Sequence, residues 1–92
     1  MKKITCVDNY EAQKLASLIY VKEDNEIFIS GILDIIENEI VISLKDKSAH
    51  SILLEDRTQA DSFADFIQSV IENVNKITST RIFENVVEIT KE

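Results

Sequence analysis

Ile27-Phe28-Ile29-Ser30-Gly31-Ile32-Leu33-Asp34-Ile35-Ile36-Glu37-Asn38-Glu39-Ile40-Val41-Ile42-Ser43-Leu44 sets the character of this 92-residue chain. From Glu26 onward the pattern has period two. Ile27, Ile29, Gly31, Leu33 and Ile35 share one face of a long strand. Glu37-Asn38 suits a tight turn, since Asn tolerates positive φ. With that turn Ile35 opposes Ile40, Leu33 opposes Ile42 and Gly31 opposes Leu44, and one face is continuously apolar. Asp46-Lys47-Ser48 reads as the next turn. Residues 49–54 then return with Ile42 facing Ile52 and Ile40 facing Leu54. The stretch therefore predicts a three-stranded antiparallel meander. Gly31, the only glycine, marks a bulge, a bend or a close approach by a helix. Phe28, Ile32 and Ile36 point the other way, so the second face is expected either to lie under a helix or to form an interface.

Working outward, Lys2 to Val7 alternate as a short strand with Ile4 and Cys6 on one side. Asp8 followed by Glu11 forms a capping box, and Ala12, Leu15, Ala16 and Ile19 fall at helical spacing, predicting a helix over residues 9–20. A competing reading makes residues 18–21 a strand that turns through Glu23-Asp24-Asn25. On the other side, Asp56 or Thr58 caps a second helix over residues 59–77. Its stripe is Phe63, Phe66, Ile67, Val70, Ile71, Val74 and Ile77. Thr78-Ser79-Thr80 breaks that stripe, and residues 81–90 alternate as a last strand interrupted by Asn85. No internal repeat or linker appears. The expected fold is α+β, a two-layer sandwich of an antiparallel sheet and two helices. Its order is β-α-β-β-β-α-β, in a single domain of residues 1–92.

Apolar content of 45% with 29% charged residues is that of a chain able to fold, and fifteen isoleucines favour sheet in the core. The lone Cys6 allows no internal disulfide, which suits a reducing, cytoplasmic location. The apolar run after Met1 stops at Asp8, too short for a secretory or membrane segment. The charge is uneven. Residues 23–72 hold twelve carboxylates against three bases, Lys45, Lys47 and Arg57, a balance of −9 in a chain whose net charge is −7. Direct binding of a nucleic-acid backbone requires clustered Lys and Arg, and this chain lacks them.

The acidic positions become the candidate site. Asp61, Asp65 and Glu72 share the polar side of the second helix with Gln68, and Glu55 and Asp56 precede it. Glu23, Asp24, Glu37 and Glu39 lie at strand ends and turns. Neighbours on such a helix face stand ~5–6 Å apart, similar to the spacing of phosphates along a strand. The ordinary alternative is that carboxylates near a helix start favour its dipole, and that every helix needs a solvated face. The other chemical residues read as structural. His50 has no second histidine for a metal site, and neither Ser48 nor Ser51 lies in a nucleophile elbow. Cys6 reads as a small core residue. Asp34 faces Val41 and so lacks a carboxylate partner. Residues 23–26 do not match a calcium loop.

Phe28-Ile29-Ser30-Gly31-Ile32-Leu33-Asp34 with Glu37-Asn38-Glu39-Ile40 is similar to the strand–Gly–strand rhythm of SH3-like and Sm-like barrels, over about a quarter of the chain. The acidic segment and the long helix argue against an RNA-binding Sm role. In size, charge and lack of motifs the chain resembles the small acidic inhibitors that phages deploy against host nucleases, anti-CRISPR proteins among them. The resulting expectation is a non-enzymatic binding protein without cofactor or metal. It would mask the basic surface of a nucleic-acid-handling protein. The alternative is an assembly module that forms a homodimer, or docks, through an apolar sheet face.

Overall fold

The computed structural model describes residues 1–19, 28–73 and 77–91. Along the chain run β1 (Lys2–Thr5), α1 (Asn9–Leu18), β2 (Ile29–Ile36), β3 (Glu39–Leu44), β4 (Ala49–Leu53), α2 (Arg57–Asn73), β5 (Ile77–Phe83) and β6 (Val86–Lys91). The fold is α+β, and the strands form two antiparallel three-stranded sheets, ordered β1-β6-β5 and β2-β3-β4. Both helices have the expected caps. Asp8 Oδ1 accepts the Glu11 N–H and Asp56 Oδ1 accepts the Gln59 N–H, each at 2.9 Å. One hydrophobic cluster joins both helices and both sheets, with Ile4, Leu15, Ile40, Ile52, Phe63 and Ile89 fully buried.

Several boundaries differ from those read in the sequence. Leu18 closes α1, so it is helical, and Ile19 caps it. Ile77 begins β5, and Thr78-Ser79-Thr80 continue that strand. Residues 81–90 are not a single strand: the chain turns back at Glu84-Asn85, and Asn85 makes the turn that its interruption of the pattern signalled. Positive φ falls on the glutamate of each Glu-Asn pair, at 56° for Glu37 and 55° for Glu84. The asparagines instead use their side chains. Asn38 Nδ2 donates to the Leu54 carbonyl at 2.8 Å and Asn85 Nδ2 to the Cys6 carbonyl at 2.9 Å. Glu23, Asp24, Glu26, Ile27 and Val74, and the alternative turn through Asn25, lie outside the described residues.

The meander forms, with a changed register. Ile35 pairs with Ile40 and Asp34 with Val41, as expected, but Ile32 pairs with Ile42 and Ile29 with Leu44. Register shifts fall between Ile32 and Asp34 and between Ile29 and Gly31. Leu33 and Ser30 are thus the extra residues of two β-bulges. Each bulge rotates the strand, so the core face of β2 is Ile29, Ile32 and Ile35, and Leu33 is exposed. The row Phe28–Ile32–Ile36 does not form one face: Phe28 and Ile32 pack against the core, whereas Ile36 is exposed. Gly31 lies between the bulges, and no atom comes within 4 Å of the place its Cβ would take, so close packing is not its reason. In the next hairpin Ile40 pairs with Ile52 and Ile42 with His50, two places from the expected register. The three-residue loop begins one residue earlier, at Lys45. The Lys47 N–H donates to the Leu44 carbonyl at 2.9 Å, and Lys47 takes φ 72°.

The two sheets meet at one isolated antiparallel bridge, Cys6 with Leu54. Around it the contacts come in matched pairs. The Val7 N–H donates to the Leu53 carbonyl at 3.1 Å, and the Glu55 N–H to the Thr5 carbonyl at 3.0 Å. The Cys6 N–H meets the Asn85 carbonyl and the Leu54 N–H meets the Asn38 carbonyl, both at 2.8 Å. These four bonds tie the ends of β1 and β4 and the turns at 37–38 and 84–85 to one another around the bridge.

Candidate interaction surface

The bridge and the hairpin turn bring together carboxylates that are distant in sequence. Asn38, which Glu37 and Glu39 flank in sequence, holds Leu54 through both its carbonyl and its side chain, and Leu54 is followed at once by Glu55 and Asp56. Glu37, Glu55 and Asp56 are exposed and Glu39 is half-buried. From this corner α2 departs, with Asp61, Asp65 and Glu72 all exposed along it. At 1.5 Å rise per residue, Asp61 and Glu72 are roughly 16 Å apart along the axis. The strand-end acids at 37–39 thus adjoin the start of the acidic helix. Glu23 and Asp24 fall outside the described residues.

These carboxylates are not equally available. Asp56 spends an oxygen on the helix cap, and Asp61 accepts from Arg57 Nε at 2.9 Å. Glu72 accepts from Gln68 Nε2 at 3.2 Å. The side chains of Glu37, Glu55 and Asp65 have no hydrogen bond or ion pair among the described residues. On α1, Gln13 and Ser17 hold the places that Asp61 and Asp65 hold on α2, and the one acid within the helix, Glu11, is buried.

Glu11 is the residue that the sequence reading left in a capping role and the structure places elsewhere. Its Oε1 accepts the Leu53 N–H at 3.1 Å, and Lys14 Nζ lies 3.0 Å from Oε2. Gln59 does the matching work on α2, where its Oε1 accepts the Thr5 N–H at 2.9 Å. The signal lay in the shared run Asp-x-x-Glu/Gln-Ala of 8–12 and 56–60.

The remaining titratable groups have structural work. Ser48 bridges Asp46 and His50: its hydroxyl donates to Asp46 Oδ1 and stands 3.0 Å from His50 Nε2. In a hydrolase triad the histidine stands between serine and carboxylate. Here the serine does, and the arrangement clamps a turn. The hydrogen bonds from the Ser48 hydroxyl and N–H hold the Asp46 carboxyl below the usual range. Burial, with smaller contributions from Glu11 and Asp8, pushes the Cys6 thiol up to about 12, so it is no nucleophile at neutral pH. Asp34 faces Val41 as expected, and its own Oδ1 accepts the Ile35 N–H. No group of three or more His, Cys, Asp or Glu among the described residues could hold a metal ion. None of their helices is long and apolar enough to cross a membrane. A cleft of about 220 Å³ is lined by Met1, Lys2, Phe66, Ile89 and Lys91, and none of the acidic residues reaches it.

No family model, curated protein or solved structure matches this chain.

Proposed function

We propose that the protein is a non-enzymatic, cytoplasmic binding protein whose acidic face covers a basic surface of a nucleic-acid-handling partner, such as a nuclease. It would act as an anti-defence inhibitor of the phage, anti-CRISPR type by standing in for nucleic acid. The observation that carries this reading is the unequal charge of two helices with the same structural job. α1 and α2 are capped alike and packed alike, yet only α2 bears exposed carboxylates at the positions filled by Gln13 and Ser17 on α1. The fold therefore does not require those acids. Glu37, Glu39, Glu55 and Asp56 extend the same face at the start of α2, and Glu23 and Asp24 are secondary contacts in the proposal.

Charge-driven association of this kind weakens as salt screens it over ~10 Å or less. Proteins captured from host extract on the immobilised chain should elute at moderate ionic strength, and the Asp61→Lys/Asp65→Lys variant should retain none of them. Capture unaffected by that double change would sink the helix-face reading. The alternative, an assembly module, draws on the exposed Leu33 and Ile36 of β2. It predicts a salt-insensitive dimer by light scattering.

A further inference from the structure

We infer that this chain is a twofold dimer of βββα units written as one polypeptide, with one unit split across the two ends of the sequence. One unit is β2-β3-β4-α2. The other is β5-β6-β1-α1, read from the end of the sequence back into its beginning.

The register of the second unit reproduces that of the first pair by pair. Between β6 and β1 the partners are Val86–Thr5, Val87–Ile4, Glu88–Lys3 and Ile89–Lys2. Between β3 and β4 they are Glu39–Leu53, Ile40–Ile52, Val41–Ser51 and Ile42–His50. The hairpins match as well: Phe83–Val86, Ile82–Val87 and Arg81–Glu88 correspond to Ile36–Glu39, Ile35–Ile40 and Asp34–Val41. Even the irregularity at the far end recurs. β5 shifts register between Ile77 and Ser79, as β2 does between Ile29 and Gly31. There the Thr78 hydroxyl donates to the Thr90 carbonyl at 3.2 Å, and the Ser30 hydroxyl to the Ser43 carbonyl at 3.0 Å. Two departures remain: Leu33 has no counterpart in β5, and the Ser43–Ala49 pair has none between β6 and β1.

Independent side-chain contacts obey the same axis. They include the two aspartate caps, the two asparagine clamps and the Glu11 and Gln59 acceptors that cross from one unit to a strand of the other. The core follows suit: Ala12, Leu15 and Ile19 correspond to Ala60, Phe63 and Ile67, all fully buried. Chance resemblance of two sheets would reproduce strand order, but it would not reproduce register, bulge and cross-axis acceptors together. Along the sequence the same correspondence runs as a tandem, β1-α1-β2-β3 against β4-α2-β5-β6, and Asp8-x-x-Glu11-Ala12 against Asp56-x-x-Gln59-Ala60 is its clearest trace.

Under this inference the position between Lys91 and Met1 is the twin of the loop 45–48 between Leu44 and Ala49. Closing the first and opening the second gives β4-α2-β5-β6-β1-α1-β2-β3, the same β-α-β-β-β-α-β-β order with the units exchanged. The test is that full-length permutant, with Lys91 joined to Met1 by a copy of Lys45-Asp46-Lys47-Ser48. A second permutant has the same joint but opens within 74–76. Both should be monomeric, keep the parent's circular dichroism, and melt cooperatively within ~10 °C of it, the loop-closure change being small. The Thr5 and Leu53 amides, held by Gln59 and Glu11, should be protected from exchange in both to the extent measured in the parent. Folding of the 74–76 permutant alone would show that the units are not interchangeable and overturn the inference. Failure of both would place Lys91 and Met1 away from a turn position, and that too would overturn it.

Discussion

Cys6 and Leu54 face each other across the one isolated bridge between the two sheets among the described residues, flanked on each side by one backbone hydrogen bond. The bonds run from Val7 to Leu53 and from Glu55 to Thr5, so Cys6–Leu54 is the non-hydrogen-bonded kind of antiparallel pair, in which Cα atoms stand ~4.5 Å apart. Both side chains are fully buried. Two sheets that each need a partner for their apolar faces are thereby locked into a single core.

A cysteine at position 54 should capture that geometry. The ~4.5 Å separation lies within the range that disulfides span. Oxidised Leu54→Cys is expected to form an intramolecular bond to Cys6. In the chain-entropy model this contributes about 4 kcal/mol for a loop of this length. Reducing the bond should lower the melting temperature by roughly 15–30 °C. An oxidised variant that stays a free thiol by mass spectrometry would contradict the bridge.

The Cys6 thiol also makes stability depend on alkaline pH. Its folded pKa is raised to about 12, against ~8.5 for an unfolded cysteine. Unfolded chains therefore release this proton first. The contribution is fully present below the ordinary thiol value and is lost as pH rises toward the folded one. Denaturant unfolding between pH 8 and 11 should show a steeper decline for the parent than for Cys6→Val, with the difference isolating this group. Parallel declines would show that the thiol is not shielded.

Glu11 and Gln59 separate the need for an acceptor from the need for a charge. Removing the acceptor leaves a backbone N–H of Leu53 or Thr5 unpaired, which costs ~1–3 kcal/mol. Glu11→Ala and Gln59→Ala should each lose about that much in urea unfolding. Glu11→Gln keeps the acceptor and copies the twin position, so it should stay within ~1 kcal/mol of the parent. If Glu11→Gln proved as harmful as Glu11→Ala, the Lys14 pair and not the amide contact would hold the helix.

Much of this fold was legible in the sequence because caps and periodicity are local signals. Asp8 and Asp56 announced both helices, and the Phe63–Val70 stripe placed the longer one against the core. What failed was register. A bulge adds one residue without changing composition, so Leu33 looked like a core residue when period two was extended through it. The second Glu-Asn turn was missed because Thr78-Ser79-Thr80 carry little hydrophobicity on a strand whose middle is largely exposed. At the surface, the sequence placed acids on one face of α2. It could not bring the 37–39 turn to the segment before α2, since that approach depends on Asn38 reaching Leu54.

Strand β2 offers a test of the bulge reading. A glycine inside a strand costs ~0.5–1 kcal/mol relative to alanine, and open space surrounds the Gly31 Cβ position. Gly31→Ala should therefore raise stability by about that amount. Deleting Leu33 should leave a folded protein, because β5 pairs with β6 without any such residue. Deleting Ile32, which sits on the core face opposite Ile42, should not. Equal damage from both deletions, read by thermal melting, would refute the bulge.

The carboxylates of α2 divide into those safe to change and those not. Asp61 is bound to Arg57 in an exposed pair of a kind worth ~0.3–0.5 kcal/mol, and Asp65 has no partner among the described residues. Asp61→Asn and Asp65→Asn should shift the melting temperature by less than ~3 °C. Asp56 caps the helix, and Asp56→Ala should cost ~1 kcal/mol. Loss of partner binding in an Asp56 variant would thus mix folding with recognition. Loss in Asp61→Asn/Asp65→Asn at unchanged melting temperature reports on the acidic face alone. A large drop in melting temperature for that pair would instead assign these side chains to the stability of the fold and remove them from the proposed interface.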